Sequence, residues 1–361
     1  MRERESTSCS SCFATSQFPG VTIGTDGRCN LCNSTPFRGL GKGRSVSPLD
    51  NLHRIAAELK AARRGKYDCI IGASGGFDSS YVIYYAKREL GLNPLVVKYD
   101  HGFNHECGNA NLRAVCEATG VDYRVISHPQ RRDVRYVEHF VKAVHAADIY
   151  WGICSACHYV VPAAVYRTAL DEGIPAILTS GNPYEDELRV PMSFKLKVML
   201  NSVLKVPPWR LPGIAFHLAA ARYYLLRLKL DYYVPPFSNL FRRMPLAPIR
   251  DISISRFMVC DVDRVARTLE SLGWKSPVGN ELPMRFDCRI DDSFMNYTFK
   301  KATGLSTHAI IANNLIYDEI RSKENLQATV EQYQNQTAPR TREETARILS
   351  RAPDVPPPPG Q

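Results

Sequence analysis

The sequence predicts a doubly wound parallel α/β sheet with a cysteine-rich amino-terminal module and a mainly helical carboxy-terminal region. Three observations carry that expectation. Apolar runs alternate with helical segments from Tyr67 to Gly181. A glycine turn, GASGGFDSS, joins the first apolar run to its helix. Two CxxC pairs precede both. Strands separated by helices of this length mean βαβ units and parallel pairing.

Residues 1–45 are rich in Ser, Gly, Cys and Arg and show little helical periodicity. Residues 46–66 form a linking segment around an amphipathic helix, with Leu52, Ile55, Ala56 and Leu59 on one face. The alternating domain spans 67–200. YDCIIGA is an apolar run suited to a strand covered on both faces. DSSYVIYYAKREL follows as a helix, closed by Gly91 and Pro94. LVVKYD is a second strand, CGNANLRAVCEATG a helix, DYRVIS a third strand and RYVEHFVKAVHAA a helix. CHYVVPAAVYRTALDEG is another helix, broken or started near Pro162, and PAILTSG is a further strand. Beyond Leu188 the alternation fades. PPWRLPG reads as a linker before a long amphipathic helix, and 261–330 reads as mainly helical. Residues 201–331 are the helical region, and the polar, proline-rich stretch 332–361 reads as disordered.

Gly72, Gly75 and Gly76 allow a tight turn that approaches a ligand closely. Ser74 and Asp78 can cap the following helix, whose first-turn amides and dipole favour an anion. Ser79 and Ser80 add hydroxyls. Phe77 and Asp78 stand where a kinase-type phosphate loop places Lys and Ser or Thr, so this turn is not GxxxxGK[ST]. In a parallel sheet ligands sit at the carboxyl ends of the strands. That rule places Asp100, Gly181 and the carboxylates of SGNPYEDE, Glu185 and Asp186 among them, at one rim, where carboxylates suit Mg²⁺.

Cys9, Cys12, Cys29 and Cys32 have the spacing of a four-cysteine structural zinc ribbon. Cys154 and Cys157 precede a helix and need a third ligand to complete a cluster. Cys288, in a polar stretch, is the preferred candidate over Cys260, which ends an apolar run. An iron–sulfur cluster, a second zinc site and a redox dithiol all remain open for them. Cys69, Cys107 and Cys116 read as core.

The strand, SGGFDSS and helix together resemble the PP-loop of the Rossmann-like ATP pyrophosphatases. All fixed positions of that pattern, SGGxDS, match at Ser74, Gly75, Gly76, Asp78 and Ser79. The resemblance implies that Ala73 to Gly76 and Asp78 to Ser80 grip pyrophosphate, with Mg²⁺, as ATP adenylates a substrate oxygen. It marks Asp78 for catalytic duty; their place at the strand ends extends that expectation to Glu185 and Asp186, and makes Asp100 and Gly181 the expected nucleotide contacts. The ribbon followed by YDCIIGASGGFDSSYVIYYAKRELGLNPLVV is similar to the N-acetyl sugar amidotransferases of bacterial surface-polysaccharide (lipopolysaccharide) synthesis. That likeness covers residues 7–185. It implies a nucleotide-sugar or other small acceptor and nitrogen from a separate glutaminase subunit. The CSACHYVV segment is instead similar to iron–sulfur tRNA thiolation enzymes. There Cys154, Cys157 and Cys288 would hold a 4Fe-4S cluster that delivers sulfur to a tRNA base or small molecule.

The bulk numbers bound these readings. The chain has 361 residues and a formal net charge of +10. A basic balance suits phosphorylated substrates, nucleic acid or an anionic surface. Eleven cysteines, several in CxxC pairs, suit metal or redox work in a reducing compartment. MRERESTSCSSC has no apolar signal region and no glutaminase cysteine after Met1. A cytoplasmic location is the resulting expectation. A non-catalytic zinc-ribbon protein that binds RNA or membrane through its basic runs is the remaining alternative.

Overall fold

The computed structural model describes residues 7–34, 48–145, 147, 149–181, 192–232, 249–258, 261–276, 288–334 and 349. Five parallel strands form one sheet: β1 (Cys69–Gly72), β2 (Pro94–Tyr99), β3 (Tyr123–Ile126), β4 (Ala176–Thr179) and β5 (Arg250–Ser253). Their order is β3-β2-β1-β4-β5. The direction of winding reverses between β1 and β4, which leaves a crevice beyond their carboxyl ends.

Each element has a local cause. In α1 (Leu49–Ala62) the buried residues Leu52, Ala56 and Leu59 repeat at helical spacing. β2 is buried along its whole length, as expected of a strand covered on both faces. α2 (Phe77–Tyr84) runs into a π-helical turn at Tyr85–Glu89. α3 (Glu106–Thr119) ends at Gly120, whose positive φ closes the helix. α4 (Arg132–Val144) and α5 (Ser155–Asp171) follow. Pro162 lies inside α5 without ending it, so the sequence expectation of a break or start there is corrected.

Period-2 alternation splits the sheet residues between two cores. Cys69, Ile71, Val96 and Leu178 pack with α1, α2 and α3. Ile70, Leu95, Val97 and Ile177 pack on the other face with Val165, Tyr166 and Ala169 of α5.

The region expected to be helical also supplies sheet. β5 pairs in parallel with β4, Ala176 opposite Arg250 through Thr179 opposite Ser253. It is short and carries a single buried side chain, Ile252, so it lacked the apolar run that marks the other strands. The remaining described helices are α6 (Met192–Val203), α7 (Leu211–Asp231), α8 (Val262–Ser271), α9 (Asn296–Thr303), α10 (Thr307–Tyr317) and α11 (Lys323–Gln334). α8, α10 and α11 join the same core as β1, through Val265, Leu269, Ala309, Leu315 and Leu326. α11 also carries helix three residues past the expected start of the tail at 332. Residues 335–348 and 350–361 of the expected tail, together with Glu185, Asp186 and Cys260, lie outside the described residues.

Candidate active site and cysteine cluster

Ser74, Gly75 and Gly76 turn the chain from β1 into α2 at the carboxyl end of the sheet. Gly75 has φ +91°, and a Cβ there would lie 1.9 Å from the carbonyl oxygen of Gly108. The turn is therefore pressed against the first turn of α3, an approach that a side chain would block. Trp274 closes the other side: its indole N–H donates to the Gly75 carbonyl at 3.0 Å, and its ring meets Phe77 edge to face.

The N-cap residue of α2 is Gly76, which has no side chain to cap it. Ser74 Oγ accepts from the Gly76 amide at 3.3 Å, and Ser79 Oγ donates to the Gly76 carbonyl. First-turn amides of α2 thus keep no intrahelical partner, and the helix dipole places positive potential there. This geometry suits an anion.

The turn opens into a cavity of about 480 Å³. Ala73, Ser74, Gly76, Asp78 and Ser79 line it from the turn, and Ser180 and Gly181 line it from the loop after β4. Gly75 and Ser80 lie behind this wall: Gly75 packs on α3, and Ser80 is fully buried. No lysine or arginine lines the cavity among the described residues. A lysine does stand behind it. Lys98, buried in β2, donates from Nζ to the Ser74 carbonyl at 2.6 Å and so braces the turn from below. Its signal in the sequence was a cation inside an apolar strand.

Asp100 is not among the cavity-lining residues. Its Oδ1 accepts from the Gly102 amide at 2.8 Å and from Asn104 Nδ2 at 2.7 Å, and Arg131 lies 3.5 Å from Oδ2. It shapes the rim loop whose His101, Phe103 and Asn104 do face the cavity. Asp291, which the sequence reading passed over, brings a second described carboxylate to the wall alongside Asp78. Two carboxylates and incoming phosphates are a donor set that fits Mg²⁺.

Cys154, Cys157 and Cys288 line the same cavity. Cys154 is the N-cap residue of α5, and Cys157 is in its first turn. Cys288 reaches the site from far along the chain because it bridges to Asn104, and the Arg289 amide donates to the Phe103 carbonyl at 3.0 Å. Burial pushes the Cys157 thiol up, and the neighbouring Cys288 adds to the shift. Among the described residues, these three are not drawn into a set with ligand atoms within 4.8 Å of one another. They are spread more widely than the shell of one ion.

The amino-terminal quartet is compact. Cys9, Cys12, Cys29 and Cys32 are all buried, and their sulfurs fall within 4.8 Å of one another. The Cys9–Cys32 and Cys12–Cys29 separations are 3.7 Å. Zn–S bonds of about 2.3 Å in a tetrahedron give an edge of about 3.8 Å. Amides of Ser11, Ala14, Cys29 and Cys32 donate to these sulfurs and favour thiolates. Hydrogen bonding, from Cys32 above all, draws the Cys12 thiol down to about 5. Cys32 is pushed up, first by its bond to Cys12 and then by burial. A divalent cation would relieve that crowding, so the set fits zinc, with the shell closed by four sulfurs.

The fold and this cluster define a parallel α/β protein with a zinc-ribbon-like amino-terminal module. No protein family matches the chain by sequence, and no curated protein does. Among solved structures it is similar to an NMN synthetase from Francisella tularensis, at 14% identity and a TM-score of 0.29, covering 52% of this chain and 95% of that one. It is also similar to an NH3-dependent NAD synthetase from Campylobacter jejuni subsp. jejuni NCTC 11168, at 11% identity and a TM-score of 0.26, covering 52% of this chain and 98% of that one. At this distance the neighbours lend no substrate or partner to the chain. No helix among the described residues is long and apolar enough to cross a membrane.

Proposed function

We propose that the chain is an ATP-dependent adenylating enzyme of the PP-loop kind. The observation that supports this best is the amino terminus of α2, built from SGGFDSS, at the wall of a 480 Å³ cavity. An acceptor C=O oxygen attacks the α-phosphorus of ATP. The bond from that phosphorus to the bridging oxygen breaks, and pyrophosphate leaves. A nucleophile then displaces AMP from the activated carbon. The amides of α2 and the hydroxyls of Ser74 and Ser79 stabilise charge on the departing pyrophosphate. Asp78 and Asp291 would hold Mg²⁺, which supplies charge neutralisation on the phosphates. No lysine is needed at the wall because the β and γ phosphates are cradled rather than transferred. Glu185 and Asp186 stay candidates for the same duty.

Nitrogen and sulfur both complete this scheme. Nitrogen, as in the N-acetyl sugar amidotransferases, would come from a glutaminase subunit. The three thiols on the wall of the same cavity favour sulfur, with Cys154, Cys157 and Cys288 as ligands of a 4Fe-4S cluster. When bound, such a cluster supplies an open iron for sulfide. The acceptor, a nucleotide-sugar, another small molecule or a tRNA base, would enter between that wall and the helical region.

ATP-dependent pyrophosphate release tests the first half-reaction, and its absence with every acceptor class would refute it. Anaerobic purification with iron, sulfide and absorption measurements tests the second. A chromophore lost in Cys154→Ala is expected, and a colourless, zinc-only protein would return the assignment to nitrogen.

A further inference from the structure

α7 carries apolar residues on two opposite faces. One face is covered: Ala221, Leu225 and Leu228 are buried with Tyr136, Val137 and Val141 of α4. The opposite face is not. Phe216, Tyr223, Leu226 and Leu230 recur at helical spacing and are exposed, Phe216 by 64%. Arg222 and Lys229 border this stripe on one side and Arg227 on the other, at one-hundred-degree steps around the helix. A second apolar face left uncovered calls for a further apolar surface or a lipid phase against it. The sequence expectation of an ordinary amphipathic helix is corrected accordingly.

α6 repeats the pattern. Met192, Leu196, Met199 and Val203 form an exposed stripe, and none of its residues is buried. The turn between the two helices presents Trp209, 79% exposed. From 192 to 230 the chain has seven lysines and arginines and no aspartate or glutamate.

We infer that α6, Trp209 and α7 form an in-plane docking surface for an anionic lipid bilayer. Apolar stripes flanked by cations, with an aromatic residue between them, match the interfacial layer: side chains enter the acyl boundary while Lys and Arg meet lipid phosphates. The lack of a membrane-crossing helix fits a segment that lies on the bilayer. A second copy would set like charges against each other, because the acidic residue at the end of α7, Asp231, already pairs with His128 and Arg132. A nucleic acid would leave the apolar stripes in water.

The test is flotation of the full-length chain with phosphatidylcholine vesicles, with and without phosphatidylglycerol. Binding to the phosphatidylglycerol vesicles, weakened by salt, is expected. Each cation near such a surface contributes about five-fold in affinity, so R222Q with K229Q should lower binding about twenty-five-fold. Phe216→Ser with Leu226→Ser should lower it at least ten-fold. Both pairs replace exposed side chains, and circular dichroism checks that each variant keeps its fold. Failure to float with either vesicle would overturn the inference. So would self-association that the serine pair abolishes, which would assign the face to a second copy. RNA binding lost in the glutamine pair but kept in the serine pair would overturn it as well.

Discussion

Gly75→Ala should be one of the most damaging single-methyl changes in the molecule, for reasons of backbone conformation and space. The residue has φ +91°, where a non-glycine residue costs about 1–2 kcal/mol. The new Cβ would sit 1.9 Å from the Gly108 carbonyl oxygen, over an ångström inside normal contact. Neither partner is a flexible side chain, so the turn or α3 must move, at a cost of about 1–3 kcal/mol. The sum is a loss of about 2–5 kcal/mol. A displacement of that size at a phosphate cradle should also cost about a hundred-fold in pyrophosphate release. Urea denaturation at constant m-value measures the first effect and a coupled pyrophosphate assay the second. Gly76→Ala is the internal control: its φ is −71°, and its Cβ would meet only Ser74 Oγ, at 3.3 Å. It should cost under about 1 kcal/mol. Equal stabilities for the two variants would refute the close-packing argument.

Three further outcomes follow from other parts of the fold. Lys98→Met removes a charged donor from the Ser74 carbonyl and should slow pyrophosphate release by about ten-fold or more, read as kcat at saturating ATP. Cys12→Ser should lower bound zinc, measured by atomic emission, and should open residues 7–34 to limited proteolysis. His308 is buried, and desolvation draws its imidazole down to about 3. The unfolded chain, near 6.5, therefore binds the proton first, and stability should fall as pH drops from about 6.5 toward 3, by up to about 1.4 kcal/mol per unit. His308→Gln should flatten that slope in urea melts across the same range.

Much of the sheet was readable because four strands are apolar runs set between helices of opposite periodicity. β5 escaped because RDIS buries only Ile252, and its pairing with β4 is a long-range event that no local pattern announces. The phosphate turn was legible as residue types, yet not in its division of labour. Gly75 and Ser80 face protein, Gly76 and Ser79 face the cavity, and Asp100 organises a loop instead of reaching in. Cys288 stood out in the sequence as a cysteine in a polar stretch, whereas its place on the cavity wall depends on the bridge to Asn104. The exposed stripes of α6 and α7 were hidden for a simpler reason: composition reports that a helix is apolar, not which face the rest of the molecule leaves uncovered.

The cysteine module has a consequence for how the chain is made. The Phe13 amide donates to Asn313 Oδ1 at 2.7 Å, and Lys323 Nζ donates to the Cys9 carbonyl at 2.9 Å. These partners are 300 and 314 positions apart. Residues 7–34 leave the ribosome well before the surface they rest on, which lies some 300 positions later. Over that stretch of elongation the module's four thiols are unshielded by α10 and α11. Metal captured early would protect those thiols during the wait. Seating on α10 then becomes one of the latest events in folding, a checkpoint that a chain stalled before residue 307 cannot pass.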